Sequence, residues 1–274
     1  VDFNGADITI ANNGLGIYQE GASLVQGYNT LNVGDNAAGI YGFATNVSNV
    51  GNVIVQGKNA VGLIGEDSNI TNNAGNVIAT TSDGSVGIYS LLKAPTTPTN
   101  LVNNGDLNIS GDQSIGVFAS TLDSTGVSIG TTFVQNNNII TLGNASGINN
   151  ATIGIFGTEG VDILNAVGSQ ISGGNNVVGI YSEKGTVKHD SAINLGENSV
   201  GIYISAGSAA IDSGASINVG STGAVALYAN ARGTIINDSS SISVGTGSVL
   251  GYSKDSGTLL DNRGNLSIGT ESVG

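Results

Sequence analysis

The sequence predicts an all-β fold: a right-handed parallel β-helix, a three-sided solenoid of about ten coils of 22–25 residues. Three observations predict it. Short apolar runs alternate with polar residues at period two, too briefly for helices. Gly, Ser, Asn and Asp separate these runs and favour turns, because they tolerate positive φ or bond their own backbone. The pattern then repeats. Gly-Ile-Tyr stands at Gly16, Gly39, Gly87, Gly179 and Gly201, with variants at Gly62, Gly116, Gly154, Ala226 and Leu250. Successive steps are 23, 23, 25, 29, 38, 25, 22, 25 and 24 residues. A fixed period of this size marks stacked coils.

One coil, residues 196–219, contains the whole unit. Its first strand is Val200-Gly201-Ile202-Tyr203-Ile204, its second Ala209-Ala210-Ile211, and its third Ser216-Ile217-Asn218-Val219. A crossover between parallel strands is right-handed in nearly all proteins, which sets the expected hand. Alternation places Val200 and Ile202 on one face, expected inward, with Gly201 and Tyr203 outward. The same rule sends Ala38 and Ile40, Val61 and Leu63, and Val178 and Ile180 inward. The aromatic residues Tyr18, Tyr41, Tyr89, Phe118, Phe156, Tyr181, Tyr203, Tyr228 and Tyr252 should then form an outer stripe, interrupted at Ile64. Stacked rings stabilise each other. An exposed apolar stripe also suits a glycan or a partner protein.

A glycine closes the third strand in most coils: Gly34, Gly57, Gly111, Gly143, Gly173, Gly196, Gly220, Gly245 and Gly269, with Thr80 the exception. Eight residues before each closing position stand Asn49, Asn72, Asn103, Asn165, Asp212, Asn237 and Asp261. Gln26, Gln135 and Lys188 fill the other coils. Asn stacked at one corner predicts a ladder of amide hydrogen bonds.

Three insertions interrupt the regular coils. From Tyr89 to Asn103 the chain takes 14 residues and from Phe118 to Gln135 it takes 17, against 8 in earlier coils. Residues 90–100 and 119–133 therefore bulge at the same corner of neighbouring coils and should form one raised ledge. The first contains both prolines of the chain, Pro95 and Pro98. The third insertion, residues 144–153, lies at another corner. Loops on a rigid scaffold carry binding more often than the scaffold does. The candidate partner-binding residues are Leu91, Leu92, Lys93, Thr97, Asp123, Phe133 and Asn149. The coils make one continuous domain over residues 1–274, expected to be a piece of a longer rod.

Composition narrows the function. Net charge is −13, and the seven basic residues are scattered. Nucleic acid needs clustered Lys and Arg and is not expected as a partner. There is no cysteine, which excludes thiol catalysis and thiolate metal sites. No apolar run reaches the length of a membrane span, so no membrane insertion by this segment is expected. The lone histidine, His189, reads as a solvated corner residue with no metal or triad partner. No cofactor or metal ligand set is expected, and the Gly-rich stretches follow the repeat rather than a phosphate loop. The enzymatic alternative is a polysaccharide lyase or glycosidase. Asp190, Asp212, Asp238 and Asp261 approach one corner in consecutive coils. Their offsets from the closing glycine, 6, 8, 7 and 8, place them out of a common register.

The phrases Ser199-Val200-Gly201-Ile202-Tyr203 and Ala215-Ser216-Ile217-Asn218-Val219-Gly220 resemble the passenger repeats of autotransporter adhesins. They are most similar to those of the large fusobacterial surface adhesins. The resemblance covers nearly the whole chain and lies in scaffold motifs, so it transfers no binding residue. It implies secretion through an outer-membrane barrel, display at the bacterial cell surface by an anchor outside this sequence, and adhesion to a host-cell or bacterial surface protein or glycan. A non-enzymatic stalk is the expected function. A structural filament subunit is the third alternative.

Overall fold

The computed structural model describes residues 2–22, 25–94 and 98–274, and it is an all-β solenoid. Three parallel sheets of ten, nine and eleven strands run its length. Each strand pairs with its equivalents one coil before and one coil after. We call these the tyrosine, asparagine and closing sheets. In the coil from residue 196 they contribute Val200–Ser205, Ser208–Ile211 and Ser216–Val219. The helical element among the described residues is a 3-10 turn at Ile148–Asn150.

Equivalent side chains align along the axis. Ile17, Ile40, Leu63, Ile88, Val117, Ile155, Ile180, Ile202 and Leu227 pair in unbroken succession. All are buried. Together with Ile217, Ile242, Ile70, Leu101 and their neighbours they form one continuous core. Each fully buried aliphatic side chain stabilises the fold by about 1.5–3 kcal/mol relative to exposure.

Simple alternation fails at the glycine of the tyrosine sheet. Gly201 and Ile202 are both buried, so the strand bends there and two successive residues face inward. A Cβ on Gly201 would lie 2.5 Å from the Ala226 carbonyl oxygen and 2.9 Å from Ile217 Cγ2. Val200 therefore lies on the outer face, as do Ala38, Val61 and the largely covered Val178, correcting the expectation that these share the inward face of Ile202, Ile40, Leu63 and Ile180. Ile204 takes the next inward position. Tyr203 remains outward. The outer face thus carries two rows, one aliphatic and one aromatic, with the bent Gly-Ile pair between them.

The asparagine ladder is present, with corrected members. Asn49, Asn72, Asn103 and Asn136 each donate Nδ2–H to Oδ1 of the next member, ending at Asn165, at 2.8 Å per step. The Tyr28 hydroxyl donates to Asn49 at one end. Gln26 pairs with Asp2 in the closing sheet and is not part of the column. Strand pairing puts Asn136, His189, Ile211 and Asn262 on the column, rather than Gln135, Lys188, Asp212 and Asp261. The misplacement has a physical cause. The corner after this column contains two residues in some coils (50–51, 104–105, 137–138, 190–191), three in two (238–240, 263–265) and four in others (73–76, 166–169, 212–215). A count back from the glycine assumes a constant corner and a constant distance from strand end to glycine, but Gly57 and Gly111 stand two residues past Val55 and Ile109, and Gly143 and Gly196 one past Leu142 and Leu195. Thr80 and Gly173 are likewise inward strand positions, paired with Val55 and Leu142, and not closing residues.

Side chains also cap backbone between coils. At the corner entering the tyrosine sheet, Oδ1 of Asn12, Asp35, Asp83, Asp112, Asn144 and Asn175 accepts a backbone N–H of the next coil at 2.8–3.1 Å. These caps tie the exposed turns of successive coils together.

Candidate binding ledge

The first two insertions lie at the corner between the tyrosine and asparagine sheets, after Val86–Leu91 and after Ile115–Ser120. They lock onto each other. The Leu92 N–H donates to the Ser120 carbonyl at 2.8 Å. Leu92 is buried, and a Cβ on Gly130 would lie 2.6 Å from Leu92 Cδ2. The Asp67 Oδ1 accepts the N–H of Lys93 and of Ala94 at 2.7 and 2.8 Å. Lys93 Nζ lies 2.9 Å from Glu66 Oε2, which also accepts the Tyr41 hydroxyl at 2.6 Å. Burial acts to raise the Glu66 pKa, but the Tyr41 and Lys93 hydrogen bonds and the Lys93 charge hold it below its ordinary value. Burial, with the same contact adding to it, pushes the Tyr41 hydroxyl up to about 12.

The second insertion folds back as a small hairpin, with Leu122 and Ser128 in an antiparallel bridge. Asp123 organises its tip. Its Oδ1 accepts Thr125 N–H at 2.8 Å, the Thr125 hydroxyl at 2.7 Å and Val127 N–H at 3.0 Å. These bonds hold the Asp123 carboxyl below its usual pKa, the Thr125 hydroxyl first among them. Thr121 ties the hairpin base to the next coil, its N–H reaching the Thr158 hydroxyl at 3.2 Å. Val127 stands exposed at the tip.

Between the insertions is a hollow of about 450 Å³, lined by Leu91, Lys93, Leu122, Asp123 and Ser124. The structure thus brings Leu91, Lys93 and Asp123 together. It buries Leu92 beneath them as the peg that joins the loops, so this side chain is not on the binding surface. Phe133 is half-buried on the outer asparagine sheet, between Asn100 and Asp162. Asn149 is exposed at a different corner. Thr97 lies outside the described residues. The inference from the sequence missed Glu66 and Asp67, which anchor the ledge from the preceding coil. Their only signal is acidic side chains at a corner facing Lys93.

The aspartates at the opposite corner need correction. Asp190, Asp212 and Asp238 each follow the ladder position, and the N–H of each bonds the previous coil at 2.9–3.0 Å, so these three do share a register. Asp261 pairs in the strand beside Ile236 instead. Lys188 Nζ spans two of them, 2.6 Å from Asp190 and 3.1 Å from Asp212. Burial raises the Asp190 pKa, with Asp212 adding to the rise, while the Lys188 hydrogen bond lowers that of Asp212. Among the described residues, no group of three or more His, Asp or Glu is placed to hold a metal ion.

His189 is buried inside the coil and not solvated. It occupies the asparagine column, with Nδ1 3.1 Å from Asn165 Nδ2 and Nε2 3.3 Å from the Ser216 carbonyl. The Asn amide donates to Nδ1, so Nε2 carries the proton and donates to the carbonyl. Burial lowers its pKa to about 4. It is a neutral structural residue.

The aromatic stripe faces outward and its rings pair along the axis. Tyr181 stacks on Tyr203 and Tyr203 on Tyr228 at 4.5 Å, with interplanar angles of 7° and 9°. Phe156 meets Tyr181 edge-on at 61°. No helix of the described residues is long and apolar enough to cross a membrane. Comparison with family models, curated proteins and solved structures returned no match.

Proposed function

We propose that this chain is a non-enzymatic segment of a bacterial cell-surface adhesin, a rigid stalk that presents loops to a host-cell or bacterial surface protein or glycan. The observation that carries the reading is the ledge. Two insertions in adjacent coils are tied to each other and anchored by Asp67 and Glu66, on a scaffold whose other coils stay regular. Extra residues at a solenoid corner are tolerated at small entropic cost. A set of mutual anchors goes beyond tolerance and holds a surface in one shape, as recognition requires. The repeat phrases that resemble autotransporter passengers support a site of action outside the cell.

Beads coated with the chain should adhere to target cells. Replacing residues 92–98 and 122–130 with regular-length corners should abolish adhesion while leaving the β-sheet circular dichroism unchanged. Adhesion that survives both replacements refutes the placement of the contact on the ledge.

A second reading, a carbohydrate-active enzyme, draws on Asp190 and Asp212, which share Lys188 and have their pKa values pushed in opposite directions. Such a split is what an acid and base pair requires. Turnover on a polysaccharide panel that disappears in Asp212→Asn would support it. A panel without turnover removes it.

A further inference from the structure

The third insertion does something the ledge does not. It overhangs the outer face of the tyrosine sheet and encloses a notch of about 470 Å³. The floor consists of the outward aliphatic row, Ile153, Val178 and Val200 among them, flanked by Tyr181 and Tyr203. The overhang contributes Ile148 and Asn149 from the 3-10 turn. The notch exists because of the bend at the glycine. With Gly201 and Ile202 both turned inward, the aliphatic and aromatic rows stand apart and leave a furrow between them. The insertion closes this furrow over a short stretch. Its size falls in the range of ligand clefts, about 300–1,000 Å³, and its lining is apolar with amides at the rim, as such clefts usually are.

The chemistry of the occupant follows from three features. A sugar ring stacks on an aromatic face, but Tyr181 and Tyr203 cover each other's faces at 4.5 Å and 7° and offer the notch their edges. An apolar side chain suits edges and aliphatic groups. The lining side chains are uncharged, and carboxylates stand just outside them at both ends of the sheet. Asp112 stands beside Gln113 on one side and receives the Ser146 N–H at the base of the overhang. Glu197 is exposed at the same corner, three residues before Val200. Glu183 flanks Tyr181 on the other side, and burial raises its pKa. The neighbouring cation, Lys184, is 2.7 Å from Glu159.

We propose that this notch binds a basic peptide segment of a partner protein, seating one bulky apolar side chain on Val178, Val200 and the tyrosine edges with flanking cations at Asp112, Glu183 and Glu197. The site is separate from the ledge and does not depend on the adhesin reading.

The test uses the full chain and synthetic peptides in which Lys flanks Phe, with Lys-flanked Ser and Glu-flanked Phe as controls, plus an oligosaccharide panel. Binding is read by calorimetry and by NMR of ring-labelled tyrosines. The Lys-flanked Phe peptide should bind and shift the Tyr181 and Tyr203 resonances, and both controls should bind roughly tenfold or more weakly. Val200→Asn and Asn149→Trp, one on the floor and one filling from the exposed turn, should each weaken binding by a similar factor. Asp112→Asn retains the cap on Ser146 and should weaken binding at low salt but not at high salt, where exposed charges are screened. Equal binding of the control peptides, binding of a glycan in their place, or three folded variants that bind like the parent would each overturn the proposal. An unfolded Val200→Asn leaves Asn149→Trp and Asp112→Asn to decide.

Discussion

His189 shows how one side chain couples this scaffold to pH. Its folded pKa, about 4, lies below the ordinary 6.5 because burial disfavours the charged ring. Above pH 6.5 the ring is neutral in both states and makes no pH-dependent difference. As pH falls from 6.5 toward 4, the unfolded chain takes up a proton that the folded chain refuses, and stability is lost. The full penalty is about 3 kcal/mol. Denaturant unfolding at neutral pH and near pH 4.5 should reveal this loss, and His189→Asn should flatten that part of the profile. Asn103 offers a second test. It donates to Asn136 and accepts from Asn72, both at 2.8 Å, in a fully buried column. Asn103→Leu removes the acceptor of the Asn72 Nδ2–H and the donor to Asn136 Oδ1, and should cost about 2–4 kcal/mol in chemical denaturation.

At the scale of an element, the corners constrain the sequence most tightly. A Cβ on Gly57 would lie 2.0 Å from the Gly34 carbonyl carbon and 2.1 Å from the Asp35 nitrogen of the coil beneath. Backbone meets backbone there, so no flexible side chain can move aside. Gly57→Ala should therefore lower stability by about 2–4 kcal/mol, comparable to overpacking a core. The melting temperature is the readout. Gly75 gives the contrast within one chain, because nothing lies within 4 Å of its would-be Cβ. Its φ of +82°, though, still disfavours a side chain, so Gly75→Ala should destabilise through strain alone and by less, about 1 kcal/mol.

For the whole molecule, each coil buries its apolar faces mainly on its two neighbours, so stability accumulates coil by coil. About ten coils at the spacing of paired strands make a rod about 50 Å long. Small-angle scattering should give an elongated particle of that axial dimension. A compact sphere of the same mass would contradict the stacking. The ledge and the notch lie at different corners of this rod, so shortening one insertion should leave the other's ligand response unchanged.

The repeat of Gly-Ile-Tyr determined the fold class, the coil boundaries, the aligned Ile17-to-Leu227 column and the corner that bears the two long insertions. Those features depend on period and alternation, which are properties of the linear chain. Other features depend on how far the backbone travels at each corner, which the chain alone does not reveal. Corners of unequal length, two residues after His189, four after Ile211 and three after Asn237, moved the ladder from Lys188 to His189 and left Asp190, Asp212 and Asp238 each directly after it. The bend at Gly201 moved Val200 outside and opened the furrow. Leu92 became a buried peg only because Gly130 of the next coil leaves room for it. Sequence periodicity specifies which residues are equivalent, while tertiary packing decides which way each one points, because an extra inward residue at a strand bend reverses the alternation and a corner of different length changes the distance counted between equivalent positions.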